Sequence, residues 1–564
     1  MGARKTDGEF CIRGNTRVAI QRKHVLIALV AIVALLLLVL RPHPVDHGNT
    51  LVGMSSGGPD YLDPGMSYTA TGWQTMYPAY NGLLTYKKLE GEAGNELVPD
   101  LATAMPLVTN EGATYTFTMR KGVMFGPPAN REVLPSDMKW SIERLFKLPS
   151  PGVGFYTIIE GGQEFMDGKA KSITGIVVDD EARTIRYDLV QPDPTFNYKM
   201  AMLFAVAVPK ETPAKDMTGA GFVPATGPYQ IKEYVPNRRI LLERNPAFKE
   251  WTADTPDGKV DKIEIQLGPA ADNAATKIRQ GVADFSMEAL ASSQLRRMRN
   301  DPEWKPYIHK HFDASLDYIY MNTQVPPFDN LKVRQAVNYA IDRRALVKLM
   351  GGRAEPTENF LPPLIPGYRK HEFYPGPDMK KAKALIAESG VKPGKISFWC
   401  QAADGPNPIP EYMQATLNEL GFQTELKCLD YAVFYTTIGN PKTKSQIGLY
   451  AWSQDYPEGS NFIDVLLNGK RITPEGNHNQ AMYTGADKEI AAANALLDPP
   501  AREKAWGDLD EQIMKDAPVA PFAVRVTYEF TGKRLKGYMS HPIMGMLYTK
   551  VSVDGKGNDE EEAS

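Results

Sequence analysis

The chain has 564 residues, too many for one ordinary hydrophobic core, so two or three domains are expected. With 43% hydrophobic and 23% charged residues it has the composition of a globular protein, which excludes a disordered or fibrous chain. The formal net charge of -3 gives no electrostatic reason to expect a nucleic-acid partner.

The first feature is not globular. An uninterrupted apolar run, Val25 to Leu40, follows Arg4, Lys5, Arg13, Arg17, Arg22 and Lys23, against only Asp7 and Glu9. That asymmetry places residues 1–24 in the cytoplasm and everything after Leu40 outside. The run is shorter than the roughly 20 residues of a comfortable span and longer than most signal-peptide cores. No small-residue cleavage pattern follows, since Arg41, Pro42, His43 and Pro44 come next. An uncleaved membrane anchor is therefore expected over a removed signal. No cysteine stands just after the run, so attachment through a lipidated cysteine is not available.

From Gly48 onward short β-like runs alternate with helical ones. LVGMSSG reads as a strand closed by the turn at Leu62–Pro64. Its Gly53-Met54-Ser55-Ser56-Gly57 matches the GxSxG pattern, but a nucleophile elbow needs a helix immediately after the serine, and Pro59 and Asp60 deny it. ATYTFTMRKGVMF (Ala113–Phe125) puts Tyr115, Phe117 and Met119 on one side, the period of a half-buried strand. TIRYDLV and RILLERN read alike. His309 and His311 in IHKHF could share one face of a strand, but no Cys, Asp or Glu run completes a metal site, so surface histidines are expected.

Leu331 to Met350 reads as one helix, with Val333, Val337, Ala340, Ile341 and Val347 on one face and Arg334, Asp342 and Arg343 on the other. Asp329 or Asn330 can cap it, and Gly351-Gly352 stops it. Asp378–Gly390 is a second helix. SFWC, the helix through EYMQATLNELG, and QTELKC then form a β-α-β unit with a parallel strand pair. That pairing would bring Cys400 near Cys428; a disulfide and two unpaired core thiols both fit. EIAAANALL and REKAWGDLDEQIMKDA are helices, no internal repeat is visible, and the acidic tail 556–564 reads as disordered. The sequence has no phosphate loop, HExxH or CxxC, and its paired carboxylates read as solvated faces, so neither an enzyme nor a cofactor or metal is expected.

Five stretches, in order, carry a resemblance: ELVPDLATAMP, ATYTFTMRKGVMF, ATGPYQIKEY with RNPAF, PPFDNLKVRQAVNYAIDRRAL, and DMKKAKALIAESG. Together they resemble the large extracytoplasmic solute-binding proteins of peptide and nickel ABC importers, from the LDP turn to about Ser552. The resemblance implies an α/β, two-lobed periplasmic-binding-protein-like fold of the large cluster C type, with three domains and a ligand cleft between the lobes. It places domain I at 48–82, 222–312 and 525–555, domain II at 83–221, and domain III at 313–524. It implies a monomer that takes peptides or peptide-like cationic solutes and delivers them to ABC permease subunits, tethered by its N-terminal helix or secreted. An envelope-tethered sensory receptor of the same fold, or a secreted hydrolase, are the alternatives.

The resemblance also implies the site. AWSQDYPEGSNF (Ala451–Phe462) matches a turn lining the cleft, in which Asp455 pairs with the ligand's α-ammonium while Trp452 and Ser453 lie beside its backbone. Tyr68, Thr69 and Ala70 match the facing segment. The alternative for Asp455 is a local cap or pairing with a neighbouring arginine. One departure concerns the ligand carboxylate. Where dipeptide-binding relatives carry an arginine, this chain has Asp404 and Gly405, and Leu449 and Tyr450 stand where some oligopeptide binders have another. Longer peptides, or ligands without a free carboxylate, are compatible with that change.

Overall fold

The computed structural model describes residues 47–268, 271–402, 407–474 and 477–554, the side chains at 271–272 and 431–432 excepted. The apolar run at 25–40, the acidic tail, and Asp404 with Gly405 lie outside the described residues.

Three sheets organise the chain. The first has the strand order Phe285–Ser286, Thr50–Ser55, Lys262–Leu267, Arg239–Arg244, Tyr229–Val235. Its parallel pairing of Thr50–Ser55 with Lys262–Leu267 joins segments far apart in sequence. Between them the chain builds a separate antiparallel sheet from Leu107–Thr109, Thr114–Thr118, Thr184–Asp188 and Ile176–Asp179. Tyr115 and Phe117 point into that sheet's core, as the alternation requires. The third sheet has the order Ile308–Phe312, Val519–Phe530, Ser315–Met321, Ile447–Ser453, Lys395–Gln401, Gln423–Leu429.

The LDP turn has a buried chemical cause. Asp63 accepts from both Nη atoms of Arg144, at 2.9 and 2.5 Å, and from the N–H groups of Gly65 and Met217. The turn is thereby tied to the helix Pro135–Lys147. Ser55 ends its strand, donating to Gly57 O and Glu288, and the next helix begins only at Ala70.

Both passages of the chain between the lobes lie side by side. The strand Val519–Phe530 pairs through its first half with Ser315–Met321 and through residues 526–530 with Ile308–Phe312. Val526, Tyr528 and Phe530 pack with Val52, Met54 and Ile278 of the first-sheet lobe, whereas Val519, Ala520 and Phe522 belong to the third-sheet cores. A two-stranded antiparallel ribbon therefore joins the lobes.

Two expectations need correction. The helix expected over 331–350 is two helices, Leu331–Ala340 and Arg343–Leu349. Ile341 and Asp342 are extended, and the Asp342 carboxylate accepts from Arg344 and Ala345 N–H, starting the second helix afresh. Arg334 and Arg343, assigned to a polar face, are buried because their guanidinium groups satisfy backbone carbonyls of Asp516, Phe328, Thr357 and Pro521. The second correction concerns His309 and His311. They do lie on a strand, but half-buried: His309 stacks on Tyr538 at 3.7 Å and bonds Thr531, and His311 faces Glu529 at 3.8 Å.

Candidate ligand cleft

Trp452 and Ser453 end the strand Ile447–Ser453. One edge of it pairs with Ser315–Met321 along its whole length. The other meets Lys395–Gln401 only at Ile447 and Gly448, so from Leu449 to Ser453 no described strand covers it. An uncovered edge of this kind can receive an extended ligand backbone.

Beyond Ser453 the chain turns, and two buried residues fix the turn. Glu458, 3% exposed, accepts from Arg502 Nε at 3.0 Å, Trp506 Nε1 at 2.6 Å and Ser460 N–H at 2.7 Å. Arg502 is itself only 5% exposed, so this is a buried ion pair anchoring the turn to the helix Pro499–Asp516. Asn461, 1% exposed, is the second anchor. Its Oδ1 accepts from Asp455 N–H at 2.9 Å and Trp452 Nε1 at 3.3 Å, and its Nδ2 donates to Asp455 Oδ2 at 3.1 Å. One buried amide thus orients both the indole and the carboxylate.

The remaining carboxylate oxygen is reached from the other lobe. Tyr68 donates its hydroxyl to Asp455 Oδ1 at 2.5 Å. Burial, then the Asp455 charge and this bond, hold the Tyr68 phenol well above its ordinary pKa, so it remains a donor. Its ring packs against Trp73 and Phe204 at 5.7 and 5.5 Å. The lobes also meet where Tyr456 stacks on Tyr198 at 5.8 Å and where Asn95 donates to Leu364 O at 2.6 Å.

Thr69 and Ala70 occupy a different local structure. Thr69 caps the helix Ala70–Met76, accepting from Gly72 N–H, and Ala70 is its first residue. Asp60 accepts from the Ser67 and Thr69 hydroxyls and from the Tyr61 and Tyr68 N–H groups. Burial raises the Asp60 carboxyl, but these bonds outweigh it and hold the pKa low. Of the three facing residues, Tyr68 is the one whose side chain reaches Asp455.

Cys400 and Cys428 are register partners on the parallel strands and are joined by a disulfide, with Cα atoms 4.4 Å apart. No group of three or more His, Cys, Asp or Glu side chains suited to a metal ion occurs among the described residues. Sequence reasoning missed Asn461, Glu458 with its distant partner Arg502, and His478. His478 bonds the Tyr450 hydroxyl through Nδ1 at 2.7 Å, and its ring lies 5.0 Å from that of Trp452. Asn461 could have been found from its place six residues after Asp455. Nothing in the sequence points to His478.

Comparison with known proteins agrees with this architecture. Heme-binding protein A of Haemophilus influenzae is 28% identical over 538 residues, covering 91% of this chain and 93% of its own. A dipeptide-binding protein of Escherichia coli is 26% identical over 533 residues, covering 90% and 95%. Among solved structures, the clavulanic acid biosynthesis oligopeptide binding protein 2 superposes with a TM-score of 0.81 at 24% identity, covering 90% of this chain and 96% of its own. HbpA2 from Haemophilus parasuis gives 0.75 at 24% identity, over 90% and 100%. At these identities the structural likeness shows the two-lobed fold. The model of bacterial extracellular solute-binding proteins, family 5 Middle, matches residues 96–474, more than half of the chain. The chain belongs to that family, as the extracytoplasmic binding component of an ABC importer.

Proposed function

We propose that the cleft captures peptides, or peptide-like cationic solutes, by their ammonium group and hands them to the permease on lobe opening. The observation that carries this reading is the Asp455 carboxylate, oriented by a buried amide and standing between the lobes. Relatives are named for heme and for dipeptides, and the chemistry of the turn separates the two. A fixed carboxylate attracts an ammonium group and repels the carboxylates of a heme. Trp452 and Ser453 flank the ligand backbone at the uncovered strand edge, with Tyr68, Thr69 and Ala70 opposite. The division into domain I (48–82, 222–312, 525–555), domain II (83–221) and domain III (313–524) belongs to the same reading, as does a monomer tethered through residues 25–40.

The test is calorimetric titration of the full chain in detergent with trialanine amide and its N-acetyl counterpart. Binding of the free-amine peptide and loss of affinity on acetylation by at least two orders of magnitude is the expected result. Equal binding of both peptides would remove Asp455 from the ligand's terminus.

A further inference from the structure

His478 is held as a ligand contact would be. The residues on either side, Asn477 and Asn479, are both buried and lock the loop to the body of the lobe. Asn477 donates to Gly439 O at 3.0 Å, and Asn479 donates to Tyr483 O at 2.8 Å while accepting from Tyr483 N–H. Between them the His478 ring is half-buried, with Nδ1 on the Tyr450 hydroxyl at 2.7 Å. Its Nε2 makes no hydrogen bond among the described residues. Trp452 links the ring to the anchor: its indole lies 5.0 Å from His478 and its N–H bonds the Asn461 amide that holds Asp455.

Charge and protonation narrow the role. A Tyr450 hydroxyl that donates to Nδ1 selects the tautomer whose proton sits on Nε2, where it is available to an acceptor. Burial lowers the His478 pKa, against the opposing influence of the Asp455 charge, so the ring is neutral at neutral pH. A neutral donor is what a site beside an ammonium group requires, since an imidazolium there would repel the ligand. In an α-amino acyl compound the acceptor nearest the ammonium is the first carbonyl oxygen.

We propose that His478 is a specificity-determining contact of the cleft, its Nε2–H donating to the carbonyl oxygen next to the ligand's ammonium group. The site then recognises an α-amino acyl unit and discriminates against a bare amine. This assignment rests on Asp455 receiving the ammonium, as set out above.

Three variants and two probes separate it from a purely structural role. His478→Gln places an N–H where Nε2 stands, while His478→Asn can serve Tyr450 but cannot reach the ligand. His478→Phe keeps the ring against Trp452 and removes both nitrogens. The probes are trialanine amide and the same peptide with its first carbonyl replaced by a thiocarbonyl, a weaker acceptor, titrated into the full chain at pH 7.5. His478→Gln should bind trialanine amide nearly as the wild type does, and His478→Asn and His478→Phe about tenfold more weakly. The thiocarbonyl penalty seen with the wild type should disappear in those two variants. Wild-type affinity in His478→Asn together with a loss in His478→Gln would mean the ring serves only Tyr450, and would overturn the proposal. So would a thiocarbonyl penalty unchanged in all variants. Binding abolished by Asp455→Ala but indifferent to His478 overturns this inference alone, whereas a wild type that binds neither probe overturns the reading of the cleft on which it rests.

Discussion

Asn461→Ala removes three bonds from one buried side chain: those to Asp455 N–H at 2.9 Å, to Asp455 Oδ2 at 3.1 Å and to Trp452 Nε1 at 3.3 Å. A neutral bond contributes about 1 kcal/mol net and one to a charged group about 1.5–3, and the longest of the three the least, so the unfolding free energy should fall by about 3 kcal/mol. Part of that loss must appear in binding, because Asp455 keeps only the Tyr68 hydroxyl to orient it. Affinity for trialanine amide should drop about tenfold, although Asn461 is not placed in contact with ligand. Asn461→Asp is the sharper variant. It retains the acceptor for Asp455 N–H and Trp452 but sets a second carboxylate where the amide N–H stood, about 3 Å from Asp455 Oδ2. Like charges so close cannot both ionise without a large upward pKa shift in one of them. Its binding should therefore become strongly pH-dependent between pH 5 and 8, where the wild type varies little. Calorimetry across that range, with urea unfolding of each protein, measures both effects. Wild-type affinity and pH profile in Asn461→Asp would refute the reasoning that this amide holds the carboxylate.

Other expectations follow from the same contacts. Glu458→Gln leaves Arg502 buried without its countercharge and should destabilise the third-sheet lobe by about 3–5 kcal/mol, read as a lower urea midpoint. Tyr68→Phe removes the hydroxyl bond between the lobes; because Tyr68 is 42% exposed the effect is screened to about 1 kcal/mol, enough to shift the unliganded chain several-fold toward open forms in single-molecule energy transfer. Unchanged transfer efficiency would dismiss the contact as passive. His541, 2% exposed, accepts from Ile543 and Met544 N–H through Nδ1, and burial with the nearby Lys88 charge pushes its pKa down to about 3. The unfolded chain takes this proton near pH 6.5, so the stability due to a neutral His541 is complete above that pH and lost as pH falls toward 3. Between pH 6.5 and 4.5 the wild type should lose about 2 kcal/mol more than His541→Asn. Asp100 and Asp510, raised to about 6 by burial, act in the opposite direction but cancel in that difference.

What the sequence disclosed follows the range of the interactions involved. The capped helices were legible because their signals are local: Asn330 and Asp378 each accept from the first turn, and Gly390 closes its helix with positive φ. The β-α-β unit was legible for the same reason, and its register sets Cys400 opposite Cys428. The break at Ile341 was not, because the apolar face runs through it. What breaks the helix is the cap of Asp342 together with the burial of Arg343 against carbonyls from segments far along the chain. The site divides likewise. Asp455, Trp452 and the Asn461 that orients them stand in one short stretch, but Tyr68 and His478 beside them, and the Arg502 that anchors the turn through Glu458, are brought there only by the fold. Asp63 shows the limit of motif reading: LDP reads as a turn, and the buried Arg144 that gives it purpose is invisible from the motif.

The most direct test of the account is native mass spectrometry of the full chain, purified from detergent without denaturation, beside Asp455→Ala and Asp455→Asn. The account predicts a bound mass on the wild type that fragments as a peptide with a free amino terminus, lost from Asp455→Ala and much reduced in Asp455→Asn. A ligand retained equally by all three proteins, or one without a primary amine, would contradict it.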